Sequence, residues 1–426
     1  MKEAFQIAWR GLWRGKTLWI LLAAAVAAHV LLPGLVRSDG TDAGRLEMHI
    51  RVVCGAVAAL IYVSVLAIAC GSFAREREDD LLPLSLVRPV SAFSVAAGRW
   101  LAFVLLAGCV LSLNAVLVNL TSVTAGLVPG NCRMHHSPAF PPAEVTAAKM
   151  MDEFLKSDRT PDEVKKAPRS AVLSLLTAKE NERYEVVHAG KSVSWPFAVS
   201  AADGPLSVKV RFSTMYNTRM AFSGTFRYRG LEGAVSNSTQ AILEVPLKPK
   251  LDVAMSPAAA GDVGRELSLT FTNNGKTDVM LRPRRDVELL APGDSFLANS
   301  VRSSVEMLAL AGLLAAFGIF LSSALSRPVA LFTAAVLLAA ALMAPDAVSQ
   351  FPDEFHATVG EKAGLAISRA VTRFTAALSE ISPVSDLASG RAIAMDGLVK
   401  SAVADLVAWP CIFLALAAFT LRRKSK

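Results

Sequence analysis

Between two long apolar runs of this chain lies a segment dense in charge, Arg75-Glu76-Arg77-Glu78-Asp79-Asp80. An apolar piece follows, Leu82, Leu84, Leu86 and Val87, then Arg88-Pro89-Val90-Ser91 and Gly98-Arg99. Charge is costly in hydrocarbon, so this segment must lie in water against a membrane face. Its size is that of a handle by which a cytoplasmic partner pulls on the membrane part. A second cluster, Cys132-Arg-Met-His135-His136, has soft ligands at close spacing that suit copper or zinc. The plainer reading is an unstructured lead into a polar insertion. His29, Asn114, Asn119 and Asp405 are polar groups inside apolar runs. Such groups often mark a pathway across a membrane. Asn114 and Asn119 equally suit hydrogen bonds between helices, and Asp405 is near enough to the end of its run to reach the interface.

Enzyme chemistry finds little support. Gly11 and Gly15 precede Lys16-Thr17 with three residues between them where a phosphate-binding loop needs four. Gly190-Lys-Ser and Gly275-Lys-Thr lack the first glycine. No serine and histidine are spaced as a nucleophilic pair with a recognisable motif. The chain is therefore expected to bind no ATP by that motif and no cofactor of its own.

Composition gives the class of protein. The chain has 426 residues, is 53% hydrophobic and 19% charged, and has a mean hydropathy of +0.43. The apolar residues gather in runs long enough to cross a bilayer: 17–36, 51–71, 101–120, 305–325, 328–345 and 402–421, or about six spans. A net charge of +8 need not mean nucleic acid. Basic residues retain loops on the cytoplasmic side, and here they sort that way. Lys2, Arg10, Arg14 and Lys16 precede the first run; Arg75, Arg77, Arg88 and Arg99 join the second to the third; Arg327 joins the fourth to the fifth; Arg422, Arg423, Lys424 and Lys426 follow the last. Alternating spans place all of these, and both termini, in the cytoplasm. Arg37, Arg45 and Arg51 on the other side are offset by Asp39, Asp42 and Glu47. The first run is too long for a signal-peptide core. The residues before it, with Phe5, Ile7, Trp9, Leu12 and Trp13 among the basic ones, read as an interfacial helix in the headgroup layer.

The runs and the polar stretches between them define the domains. Residues 1–120 carry the interfacial helix and the first three spans. Residues 121–302 form an insertion, helical over about 140–185 and stranded over about 190–298. Thr160-Pro161-Asp162-Glu163 is a helix start. Alternation at Leu206, Val208, Val210 and Phe212, and at Leu267, Leu269 and Phe271, reads as strands buried on one face. Asn273-Asn274-Gly275 reads as a tight turn before Val279 and Leu281. The sum is an α+β domain containing a β-sandwich. Residues 303–426 carry the remaining spans and a helical loop, 346–401, broken at Pro383 and Gly390. Cys54, Cys70, Cys109 and Cys411 fall in spans, which leaves Cys132 without a partner for a disulfide.

The 75–100 segment resembles the loop between the second and third spans of ABC-2 type transporter permeases. Glu78 takes the place of the family's acidic residue after the second span. Arg88-Pro89-Val90-Ser91 takes that of its proline stretch, and Gly98-Arg99 that of the Gly-Lys opening the third span. Asp80 and Leu81 depart from the usual Gly-Thr, and Ala92 from a second basic residue. The likeness covers the membrane portions and not the insertion. It implies an α-helical polytopic membrane protein; the inserted domain, unusual for the family, is placed outside the cytoplasm by the alternation of the spans alone. It also implies a second permease subunit, alike or related, and cytoplasmic ATPase subunits that hold ATP and magnesium. Glu76, Glu78 and Asp79 would then make polar contact with the ATPase and Leu82, Leu84, Leu86 and Val87 apolar contact, with the push passing through Arg88-Pro89 and Gly98 into spans two and three. Membrane lipid and an extracytoplasmic partner of the inserted domain complete the expected contacts. The competing class is a non-transporting membrane anchor that displays a binding domain.

Overall fold

The computed structural model of the chain describes residues 1–35, 42–74, 76, 91–124, 132–156, 169–197, 205–214, 222–238, 242–249, 267–343 and 383–424. They fall into a helical unit, built from the described residues up to Cys132 and from Asp294 onward, and a β unit, Arg133–Gly293.

The helical unit begins with α1 (Lys2–Arg14), which is amphipathic. Ala4, Phe5, Ala8, Trp9 and Leu12 turn to the core, while Lys2, Gln6, Ile7, Arg10, Trp13 and Arg14 are exposed. Lys16, at φ 61°, reverses the chain into α2 (Thr17–Leu31). The long helices α3 (Asp42–Gly71) and α4 (Ala92–Thr124) follow. Polar side chains tie these helices together. His29 Nε2 lies 3.1 Å from Asn114 Oδ1, the Asn114 amide donates to Cys54 Sγ at 3.8 Å, and His49 Nε2 lies 3.1 Å from Thr121 Oγ1.

The β unit opens with β1 (Arg133–His136), then helices α5 (Ala143–Lys156) and α6 (Arg169–Asn181). The helices pack on each other through Ala147, Val172 and Leu176. Strands β2 (Glu185–Val187), β3 (Ser192–Phe197), β4 (Ser207–Arg211), β5 (Ser213–Thr214), β6 (Phe222–Tyr228) and β7 (Leu231–Ser238) come next. After them run β8 (Ile242–Pro246), β9 (Lys248–Pro249), β10 (Leu267–Asn273), β11 (Val279–Leu281), a single helical turn α7 (Pro283–Asp286) and β12 (Val287–Pro292). Pairing is antiparallel throughout, in orders β1-β12-β4-β8, β3-β10-β6-β7-β9 and β2-β11-β5. The inward residues of all three sheets share one core, with Trp195, Phe226 and Phe271 beside Val208, Val245, Leu281 and Leu289. The alternation expected at 206–212 and 267–272 therefore emerges as β4 and β10. The turn after β10 does not make a hairpin. The Asn273 amide donates to Val187 O and Thr277 O, and its Oδ1 accepts from Gly275 N. These bonds fold the chain across to a different sheet. The helix start at 160–163 lies outside the described residues.

The chain returns to the helical unit as α8 (Phe296–Ala324), capped by Ser295. A tight turn leads to α9 (Arg327–Met343). Later come α10 (Pro383–Ala388) and α11 (Met395–Val403), which continues through a π turn, Ala404–Ala408, into α12 (Trp409–Lys424). Pro410 explains the π turn. It has no N–H for the carbonyl four residues back, and Trp409 N instead bonds Ala404 O, five residues back. Pro383 opens α10, and Gly390, at φ +69°, follows its end. The first part of the expected helical loop, 346–382, lies outside the described residues.

Among the described residues five helices are long and apolar enough to cross a membrane: Thr17–Gly34, Arg45–Gly71, Ala92–Val123, Phe296–Ala324 and Met395–Arg423. The run 328–345 falls on α9, whose described residues end at Met343. The protein is thus a helical, membrane-embedded protein with a separate β region. α8 is buried almost throughout, whereas α2 and the α11–α12 helix turn most of their surface outward.

Candidate functional site

The two sides of the charged segment meet on Arg99. On the α4 side, Ser91 caps the helix by accepting from Ser94 N at 3.2 Å, which satisfies one of the free amides of the first turn. One turn further, the Arg99 side chain is 12% exposed. It donates from Nη1 to Ser72 O at 2.6 Å and from Nη2 to Glu76 Oε1 at 2.5 Å. Its guanidinium lies 4.0 Å over the ring of Phe73, which is fully buried. A planar cation that stacks on an aromatic face while its fork bonds a carboxylate is a use to which arginine, and not lysine, is suited. The second carboxylate oxygen, Glu76 Oε2, is buried and has no hydrogen-bond partner among the described residues.

Other elements converge on this end of the unit. Ser72 Oγ lies 3.3 Å from Ser322 Oγ, and the Cys70 thiol donates to Ala330 O at 3.9 Å. Ser323 Oγ lies 2.6 Å from Thr420 Oγ1. A Cβ at Gly98 would stand 2.8 Å from Met1 O and from Phe5 N, so α1 sits backbone against backbone on α4. A Cβ at Gly318 would stand 2.7 Å from the Ala69 Cβ and 3.2 Å from Leu66 O, so α3 crosses α8 as closely. Small residues at such crossings are the usual means by which helices pack in lipid. The opposite end holds the points where the chain leaves and re-enters the unit. There Cys132 N donates to Asp294 O at 2.9 Å. The Asn299 amide bonds Arg391 O and Ile393 N, and Ser303 Oγ bonds Pro383 O.

The expected recognition residues divide accordingly. Glu78, Asp79, Leu82, Leu84, Leu86, Val87, Arg88 and Pro89 lie outside the described residues. Glu76 is directed onto Arg99. Gly98, expected to pass force from the loop into the third span, is the seat of α1. Asn114 joins α4 to α2 and α3 by the bonds already given. Asn119 donates to Ala115 O at 2.7 Å and to Ser300 Oγ at 3.4 Å, which joins α4 to α8. The last apolar helix begins at Met395, not at 402, and Asp405 is buried in its π turn.

The metal candidate is dispersed. Cys132 belongs to the helical unit, buried with Ile50, Cys54 and Phe296, and burial holds its thiol above the ordinary 9.0. A protonated thiol is a poor ligand. The lead into the insertion is not unstructured: His135 and His136 are adjacent on β1, so they point to opposite faces. His135 Nδ1 pairs with Glu288 Oε2 at 2.8 Å. Burial, then the neighbouring His135, lowers the pKa of His136 below its ordinary 6.5. Among the described residues no three His, Cys, Asp or Glu side chains are grouped to hold a metal.

Two contributors were missed in the sequence. Phe73 reads as one more apolar residue, and only the α3–α4 register brings it under Arg99. Glu306, within α8, lies in electrostatic reach of Tyr62 and Asp386; an acid just inside an apolar run was the available signal. No family model, curated protein or solved structure matches the chain.

Proposed function

We propose that the chain is the membrane subunit of an ABC-2 type transporter, in which a separate ATPase acts on the 75–100 segment. The observation that carries this reading is the Arg99–Glu76 clamp. It ties both flanks of the segment to the packed bundle, so a push delivered between them has a rigid place to go. The close crossing at Gly318 then passes motion of α3 to the central helix α8. In this reading the clamp faces the cytosol, together with α1 and the residues after α12. Cys132 and Asp294 face the other way, and the β unit is an extracytoplasmic β-sandwich module that binds a partner or cargo. The membrane is the cytoplasmic one, and a second permease subunit completes the pathway.

The test is co-purification of a Walker-motif ATPase with the full chain. Glu78→Lys or Leu84→Asp should abolish capture. Arg99→Ala should retain capture but disconnect ATP turnover from the membrane subunit. Unchanged capture by the first two variants would overturn the docking site. Failure of any ATPase to accompany the wild-type chain would favour the membrane-anchor reading.

A further inference from the structure

We propose that the outward face of α1 is a binding site for anionic phospholipid headgroups, and that lipid charge thereby holds the start of α4 in place. The inference rests on the membrane placement of the helices and not on an ATPase partner. Lys2, Arg10, Arg14 and Lys16 are exposed, and none has an ionic partner among the described residues. Glu3 is the one acid on the helix. The apolar face of α1 is already spent on the protein core, so what it offers outward is chiefly cations. Arginine forks and lysine ammonium groups are good ligands for phosphate.

The surroundings favour lipid over an acidic protein. Trp13 of α1 packs edge-on against Trp19 of α2 at 5.1 Å, and both indoles are about half exposed. From Trp19 the exposed surface runs down α2 through Ile20, Val26, Val30 and Leu31. The cations therefore border an apolar, lipid-facing surface, with indoles at the boundary where headgroups lie. Headgroup phosphates meet both parts of this surface at once. The seat on Gly98 links the site to α4. With Met1 and Phe5 in backbone contact at Gly98, a helix held to the leaflet holds that end of α4 too.

The experiment compares amide exchange of the full-length chain in nanodiscs of phosphatidylcholine with and without phosphatidylglycerol. The expected result is slower exchange over residues 2–16 with phosphatidylglycerol, largely lost in the Arg10→Gln/Arg14→Gln variant and narrowed by salt. Removing two basic residues from an anionic surface lowers headgroup affinity on the order of thirty-fold. In Gly98→Leu, exchange at the start of α4 should cease to respond to lipid. Equal exchange of α1 in the two lipids would overturn the site, as would protection that appears only when a cytoplasmic protein partner is added. A response of α4 that survives Gly98→Leu would overturn the link.

Discussion

The helical unit and the β unit bury their cores by opposite means. Helices meet where side chains are absent: Gly98 under α1, Gly318 under α3, and Gly312, whose carbonyl accepts from Trp100 Nε1 at 2.8 Å. The β unit is closed by bulk. Trp195 and Phe226 both stack on Phe271, and Phe222 with Phe212 continues the cluster. Water drives aromatic surface out of contact with itself. Lipid tails give no such drive between helices, so close backbone approach and hydrogen bonding take its place. Both units also pair polar side chains: Ser72 with Ser322 and Ser323 with Thr420 between helices, Ser192 with Thr272 and Ser194 with Thr270 across strands.

Opposite substitutions should therefore damage the two units. Phe271→Ala should cost the β unit about 3–5 kcal/mol, read from denaturant unfolding by protease susceptibility, with the helical unit unaffected. Gly318→Leu should cost the helical unit about 1–3 kcal/mol or more, because part of what it meets is backbone that cannot rotate away. Loss of a monodisperse species in detergent would show it, and tolerance of leucine would remove the contrast. Arg99→Ala should cost about 1.5–3 kcal/mol, and Arg99→Lys only part of that. Asn114→Leu should cost about 1 kcal/mol in thermal stability. The smallest effect concerns acid. Because His136 is held below its ordinary 6.5, the unfolded chain takes up the proton first. Stability of the β unit should fall as pH drops below about 6.5 and level off beneath the folded value. His136→Asn should flatten that part of the pH profile, and an unchanged profile would remove His136 as the cause.

The sequence disclosed most where a local rule was enough. The strands at 207–211 and 267–273 follow from alternation alone. The apolar runs became helices, though the last helix starts earlier than its hydropathy suggests. β1 was illegible because four residues, Arg133–His136, carry too little pattern; pairing with β12 makes them a strand. The candidate site was half legible. Glu76 and Gly98 stood out by type, but their roles did not, since a carboxylate aimed at a partner and one aimed at Arg99 look the same along the chain.

What the amino-acid order determined by itself is how much of the chain lipid can accept, where charge forbids it, and which residues have the period of a half-buried strand. Those are properties of neighbours in sequence, governed by hydropathy and backbone period. Tertiary structure alone decided that Arg99 closes on Glu76, that two glycines lie under other helices, that Asp405 is buried in a π turn, and that β10 and β11 part to different sheets. Each depends on groups distant in sequence coming within a few ångströms. Close packing and the need to pair buried polar groups select such contacts only once the helices and sheets are assembled.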